Sequence, residues 1–447
     1  MKPLSIIIAS LCSLLPVAAT RAAHITAGAG KAAIALTTDM FPIDGYNGLH
    51  DSLYVRTIII SGHTTATAIV IMDHTSISAA LIADVKAIVQ EHTGISPHGS
   101  VVIASHNFSS PSVASRSERN AAWQPRFEAA VLAAVSHSVA QAAGRLAPAR
   151  LRYGSSTVRV AVNRDVDTPS GTWLGYNDGG FTDDHLGVMY IETLDARPVA
   201  ALLNLAVQPS VTDKCTTSDG RKLISADLAG AAANHVEARL GANAVCGFIA
   251  GTAGNQSPIV QGSPYVYLTP DSAVRHNTHE AAYAMLDQLG RRVGSAAMQV
   301  IATAEAVQGE NVRLLRYNVE LPSRTDFGKT SITGPVQSYD YQLSGTTTPS
   351  PMIIINIGNL ALVGMQPEGD AEVGANIRNA SPYRHTIVAS MADGAAKYLP
   401  TAMSYDRFTY EARNSFFAKG SAEILTSQTI DRLEEIIKTT NVKPVKQ

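Results

Sequence analysis

Apolar positions along this chain follow two rhythms. Runs rich in Val and Ile at residues 53–60, 67–72 and 101–103 read as strands, the last with the composition of a strand covered on both faces. Between the second and third runs, Leu81, Ile82, Val85, Ile88 and Val89 repeat at helical spacing and stop at Gly94. Strand, helix, strand predicts a crossover unit whose last strand delivers His106 to a loop of small polar residues ending in Pro111. Phe127, Val131, Ala134, Val135 and Val139 mark a second helix, ended by Gly144 and Pro148. The runs 188–194 and 200–207 meet across Asp195-Ala196-Arg197-Pro198, which predicts a hairpin and so a sheet that is not purely parallel. Helices are expected over 228–240, 279–304 and 429–438, and strands over 245–250, 314–321 and 352–365. The fold expected is α/β, a mixed-sheet core flanked by helices. The Ser/Thr/Pro/Gly segment 344–351 is the best candidate boundary, yet a strand of core quality follows at once. It reads as a surface loop inside one domain.

Composition narrows the partners. The 447 residues are 45% hydrophobic and 16% charged with a net charge of -2 and no basic block, which argues against a nucleic-acid surface and for a small substrate. Lys2, an apolar stretch over 4–17 and small residues through Ala22-Ala23 make residues 1–23 a secretory signal peptide. The remainder, 24–447, is then a single exported domain, secreted or periplasmic. That apolar stretch is shorter than the ~20 residues a spanning helix needs, and no later stretch is long enough, which leaves only peripheral membrane contact open. Beyond Cys12 in the leader stand Cys215 and Cys246, for which pairing and free thiols are both open in an oxidising compartment.

Several predicted strand ends carry polar residues in loops that are otherwise small: His106, Arg164, Gln208, Ser257 and Glu368. Their order and spacing resemble the neutral ceramidase family, zinc amidohydrolases that cut the N-acyl bond of ceramide. The resemblance spans 28–418. It rests on Asp51-x-Leu53-x-x-Arg56, Ser105-His106-Asn107-Phe108-Ser109-Ser110-Pro111, Val162-Asn163-Arg164, Asn204 to Pro209 with Leu223 to Asp227, Gly254-Asn255-Gln256-Ser257-Pro258, Pro367-Glu368 and Tyr398 to Glu411. The resemblance implies the fold of the family's catalytic domain and a Zn2+ held by His106, Glu368 and Tyr398. It also implies Tyr410 near the substrate carbonyl, Ser257 as nucleophile or substrate contact, and Arg164 lining the pocket. Three residues depart from the pattern. Phe108 replaces a polar pocket histidine, Gln208 stands where the family has its second zinc imidazole, and Asn255 replaces the acid of the serine loop. The family's carboxy-terminal β-sandwich has no room before Gln447.

A catalytic zinc usually takes three ligands from His, Cys, Asp and Glu, and here only His106 and Glu368 are standard donors. Tyr398 must lose a proton from a group with a pKa of about 10, and Gln208 offers only a neutral amide oxygen, so weaker zinc binding is expected, with a harder metal or none as alternatives. His50, His63 and His74 are the other imidazoles at hand and read as structural, and the Asn107-Phe108-Ser109 glycosylation triplet reads as coincidence. The implied work is hydrolysis of an N-acyl amide in lipid, above all sphingolipid, metabolism. Metal-activated water would attack a carbonyl whose oxyanion Tyr410 steadies, and Phe108 would narrow and dry the pocket. Two other readings stay open: a non-catalytic protein binding lipids or amides, and a metal-free serine hydrolase using Ser257.

Overall fold

Period-two alternation explains why apolar residues occupy both faces of these runs. In the strand Tyr54–Ser61, Ile58 and Ile60 point into one core while Val55 and Ile59 point into another. Two covered faces require two apolar sets. The computed structural model describes residues 25–113, 120–269, 272–325 and 334–439, so the expected signal peptide lies outside the described residues.

The main sheet runs Val245–Ala250, Pro198–Leu205, His185–Thr193, Ala147–Thr157, Ile25–Ala33, Tyr54–Ser61, Ala66–Met72, Ser100–Ala104. Its two outermost pairs are parallel and the inner pairs antiparallel, the mixed sheet the hairpin predicts. Helices Ala79–Thr93 and Gln124–Gly144 cover one part of its outer face, and Asp227–Leu240 and Ala281–Thr303 the other. Its inner face packs through Ile58, Ile71 and Ile103 on a second sheet, Val312–Arg324, Leu343–Ile357, Leu360–Met365 and His385–Ala389. Helices Ala371–Ala380 and Ser421–Thr439 cover the far side of that sheet. The result is helices, sheet, sheet, helices.

The main sheet twists until its two edges meet. Strand Val245–Ala250 touches Ala66–Met72 and Ser100–Ala104, and a Cβ at Gly247 would lie 2.3 Å from Ile71. Segment 390–393 stitches the edges: Ser390 N–H donates to Ala250 O (3.0 Å), Ala104 N–H to Met391 O (3.2 Å) and Asp393 N–H to Val102 O (2.7 Å). The segments after Ala104, Leu205 and Ala250 therefore converge, and they carry His106, Gln208 and, in the short strand Gln256–Pro258, Ser257.

One expectation is overturned, one is extended and one open question is resolved. Segment 344–351 is no loop but part of the strand Leu343–Ile357, with Thr347 opposite Pro322 and Thr348 opposite Leu321. Thr346, Thr347 and Thr348 are exposed on this paired strand while Ser350 is buried, so polarity there does not report irregular backbone. Pro148 not only follows a helix but also opens the central strand Ala147–Thr157, whose Ala149, Leu151 and Tyr153 alternate inward. Cys215 and Cys246 are both buried free thiols. The first lies near Asn277 and His279, and the second sits inside the main sheet.

Candidate functional site

His106 leaves the strand Ser100–Ala104 in the left-handed region, φ 64°, a conformation uncommon for a residue with a Cβ and concentrated at functional sites. Its Nδ1–H donates to Thr75 O at 2.8 Å, which turns Nε2 toward Glu368 Oε1 at 2.9 Å. Burial opposes the imidazolium, but the Glu368 carboxylate outweighs it and the pKa of His106 rises. Glu368 is likewise buried, which favours its neutral form. His106, Arg164 and the Gln208 amide outweigh that, and its pKa falls.

Gln208 links this pair to a guanidinium. Its Nε2–H donates to Glu368 Oε1 at 2.7 Å, and its Oε1 accepts from Arg164 Nη1 at 2.9 Å. Arg164 lies inside the strand Ala161–Thr168, not at its end as expected, and the register shifts between Asn163 and Asp165. Such a bulge re-aims a side chain. The guanidinium reaches Glu411 Oε1 through Nε (2.8 Å) and Nη2 (2.6 Å), and Nη2 also donates to the Tyr398 hydroxyl at 3.2 Å. Tyr398 pairs in register with Glu368 in a two-residue parallel bridge, and burial pushes its phenol pKa far up. Tyr410 opens the short helix Tyr410–Arg413, its ring 5.8 Å from those of Tyr398 and Trp173, and burial raises its pKa too.

A cavity of about 380 Å³ opens above this network, lined by Phe108, Arg164, Gln208, Ser257, Tyr398 and Tyr410 among others. His106 and Glu368 lie behind that lining, 4% and 2% exposed, with the Phe108 ring edge-on to the imidazole at 4.7 Å. Ser257 pairs with Val162 across strands, and its hydroxyl has no hydrogen bond among the described residues. Asn255 is not part of the wall. Its Oδ1 accepts from Ala371 N–H (2.9 Å) and its Nδ2 donates to Glu372 (3.2 Å), so it holds the start of helix Ala371–Ala380, a task that needs an amide rather than an acid. The other imidazoles stand apart: His74 is fully buried against Phe127 with its pKa drawn down to about 4 by burial, His50 pairs with Asp51, and His63 with Glu310. Asn107 is buried, donating to Ser225 O, which removes it from any glycosylation machinery.

Sequence reasoning missed the roles of Glu411, Asp165 and the cavity-wall residues Trp173, Lys214 and Arg275. Asp165 lies beside Arg164 in sequence, and burial and Glu411 together raise its pKa well above the usual carboxylate range. An adjacent Arg164-Asp165 pair at the end of an apolar run was the available signal.

A zinc ion does not fit these donors. The amide of Gln208 turns its nitrogen toward Glu368 and its oxygen toward a cation, the reverse of what a metal ligand needs. The Tyr398 phenol is held protonated by burial, and the Arg164 charge stands within hydrogen-bond reach of both. Among the described residues, no three His, Cys, Asp or Glu side chains are grouped to hold a metal.

No family model and no curated protein sequence matches this chain. Its fold is nevertheless that of the neutral ceramidases. The crystal structure of neutral ceramidase from Pseudomonas aeruginosa superposes with a TM-score of 0.71 at 21% identity, covering 95% of this chain and 76% of that one. A ceramidase complexed with C2 superposes with the same score and coverage at 19% identity. The helix–sheet–sheet–helix core is thus a scaffold that this chain shares with solved neutral ceramidases.

Proposed function

We propose that this chain binds an N-acyl amphiphile in the cavity above Arg164 and does so without a resident zinc. The observation that carries the proposal is the Gln208 amide, fixed between Arg164 and Glu368 by hydrogen bonds of 2.9 and 2.7 Å. With that amide in place, Arg164, Tyr398 and Tyr410 form a floor of hydrogen-bond donors, the phenols kept neutral by burial. An amide carbonyl is the acceptor such a floor receives, and Phe108, Val162, Leu174 and Ile259 supply apolar wall for an acyl chain. No helix among the described residues is long and apolar enough to cross a membrane. Export through the leader 1–23 belongs to the same proposal.

Hydrolysis is the second reading, favoured by Ser257, Arg164 and Tyr410 sharing one cavity. It lacks a base at the reacting position. Among the described residues no side chain bonds to the Ser257 hydroxyl, and Phe108 separates the His106–Glu368 pair from the cavity. One experiment decides between them: purified mature protein is titrated with a fluorescent N-acyl amide, while amine release and zinc content are measured. Saturable binding with no amine release and well under one zinc per chain is expected, and Gln208→His should raise zinc uptake to about one per chain. Amine release abolished by a chelator would overturn the proposal.

A further inference from the structure

The floor of the cavity is electrically balanced, because the Arg164 guanidinium is paired with the Glu411 carboxylate at 2.6 Å. Its wall is not. Among the described residues, Lys214 and Arg275 both line the cavity, and the one carboxylate of the lining is Asp213. Counting Lys214 and Arg275 as +1 each and Asp213 as -1 leaves a charge of +1. Burial pushes the Asp213 carboxyl toward its neutral form, against the pull of Lys214, Arg275 and Lys222, which can only increase that excess.

The two cations differ in how firmly they are held. Arg275, on the second strand of the hairpin Tyr265–Thr269 and Ser272–Arg275, donates to Ser263 O at 2.8 Å and stacks over the Tyr265 ring at 4.4 Å. A guanidinium oriented this way still has donors to offer a carboxylate. Lys214 is exposed and stands at φ 56°, a left-handed conformation that ordinarily costs a lysine free energy. A neutral head group gives neither cation anything to do. A surface charge would be as well placed anywhere else.

We infer that the ligand of this cavity is an anionic amphiphile: an N-acyl chain whose head group carries a carboxylate, received at the wall by Lys214 and Arg275 while the amide lies on the Arg164 floor. The inference rests on the N-acyl reading above and adds the charge of the head group. A carboxylate matches the single excess charge, whereas a phosphate monoester brings about -1.5 to -2. An N-acyl amino acid has the required parts in one molecule.

The test compares N-octanoylglycine with N-octanoylethanolamine by calorimetry on the full mature chain, both below their micellar concentrations. The glycine conjugate is expected to bind roughly fivefold tighter at low salt, with the ratio falling toward one as salt rises. In Lys214→Asn, which accepts the left-handed backbone, and in Arg275→Gln, the two affinities are expected to converge. Equal affinities for the two probes in the unmodified protein, or a preference that neither salt nor either variant reduces, would overturn the inference while leaving the N-acyl reading standing. Failure of both probes to bind would remove both.

Discussion

His106 sets the chemistry of the site by what it faces. His74, buried against the Phe127 ring, has its pKa drawn down to about 4, whereas His106 faces a carboxylate at 2.9 Å and has its pKa raised. The linkage follows from the two directions of shift. A histidine with a raised pKa stabilises the fold fully below its unfolded value near 6.5, and that contribution is lost as pH rises through the folded value. A glutamate with a lowered pKa stabilises the fold fully above its unfolded value of 4.5, and that is lost as pH falls through the folded value. The stability difference between the native chain and His106→Asn should therefore be greatest between about pH 4.5 and 6.5, on the order of 3–5 kcal/mol, and shrink toward pH 9. Urea unfolding at three pH values measures it, and a difference that grows with pH would refute the charged pair. Asparagine tolerates the φ of 64°, so backbone strain does not confound the comparison.

At the scale of elements, close approach decides more than propensity. Strand Ile25–Ala33 lies against helix Gln124–Gly144 only because Gly28 and Gly30 have no side chains. A Cβ at Gly28 would stand 2.2 Å from Ala142 O, and one at Gly30 2.0 Å from Ser138 O. Neither obstacle is a flexible side chain, so Gly30→Ala must push strand and helix apart. A loss of about 2 kcal/mol or more in denaturant unfolding is expected, and a neutral result would show that the helix moves freely. The strand–helix–strand unit and the hairpin 185–205 were legible because their periodicities are unmixed. Strand Ala147–Thr157 was not, because Pro148 and Gly154 outweighed the weak alternation of Ala149, Leu151 and Tyr153.

Across the whole molecule, Asp393 ties the two sheets. Its carboxylate accepts from Val102 N–H at 2.8 Å, Lys86 at 2.6 Å and Arg316 at 2.5 Å, joining the main sheet, its covering helix and the second sheet. Asp393→Asn keeps the left-handed backbone and a backbone acceptor but loses both charge pairs, so a loss of about 1–3 kcal/mol is expected. If 24–447 is one domain, as proposed from the sequence, unfolding is a single transition. Fluorescence from Trp123, at the start of helix Gln124–Gly144, and from Trp173 in the cavity wall should then share one midpoint with far-UV circular dichroism, and Asp393→Asn should move all signals together. Separate midpoints would divide the chain.

The sequence by itself determined the class of fold, the mixed sheet and the strand-end loops, because runs and periods are local properties that backbone geometry translates directly into elements. It also determined which residue types stand in those loops, and the resemblance they carry matches the fold observed. Only the tertiary structure decided what those residues do to one another. Whether Gln208 turns its oxygen or its nitrogen to Glu368 depends on where Arg164 stands, 44 residues away in sequence, and Arg164 in turn answers to Glu411, 247 residues away. Asn255 could be assigned to a pocket by its neighbours in sequence, yet the backbone of Ala371 claims its side chain. Electrostatic and hydrogen-bond partners are fixed by distance in space, and a sequence records distance only along the chain.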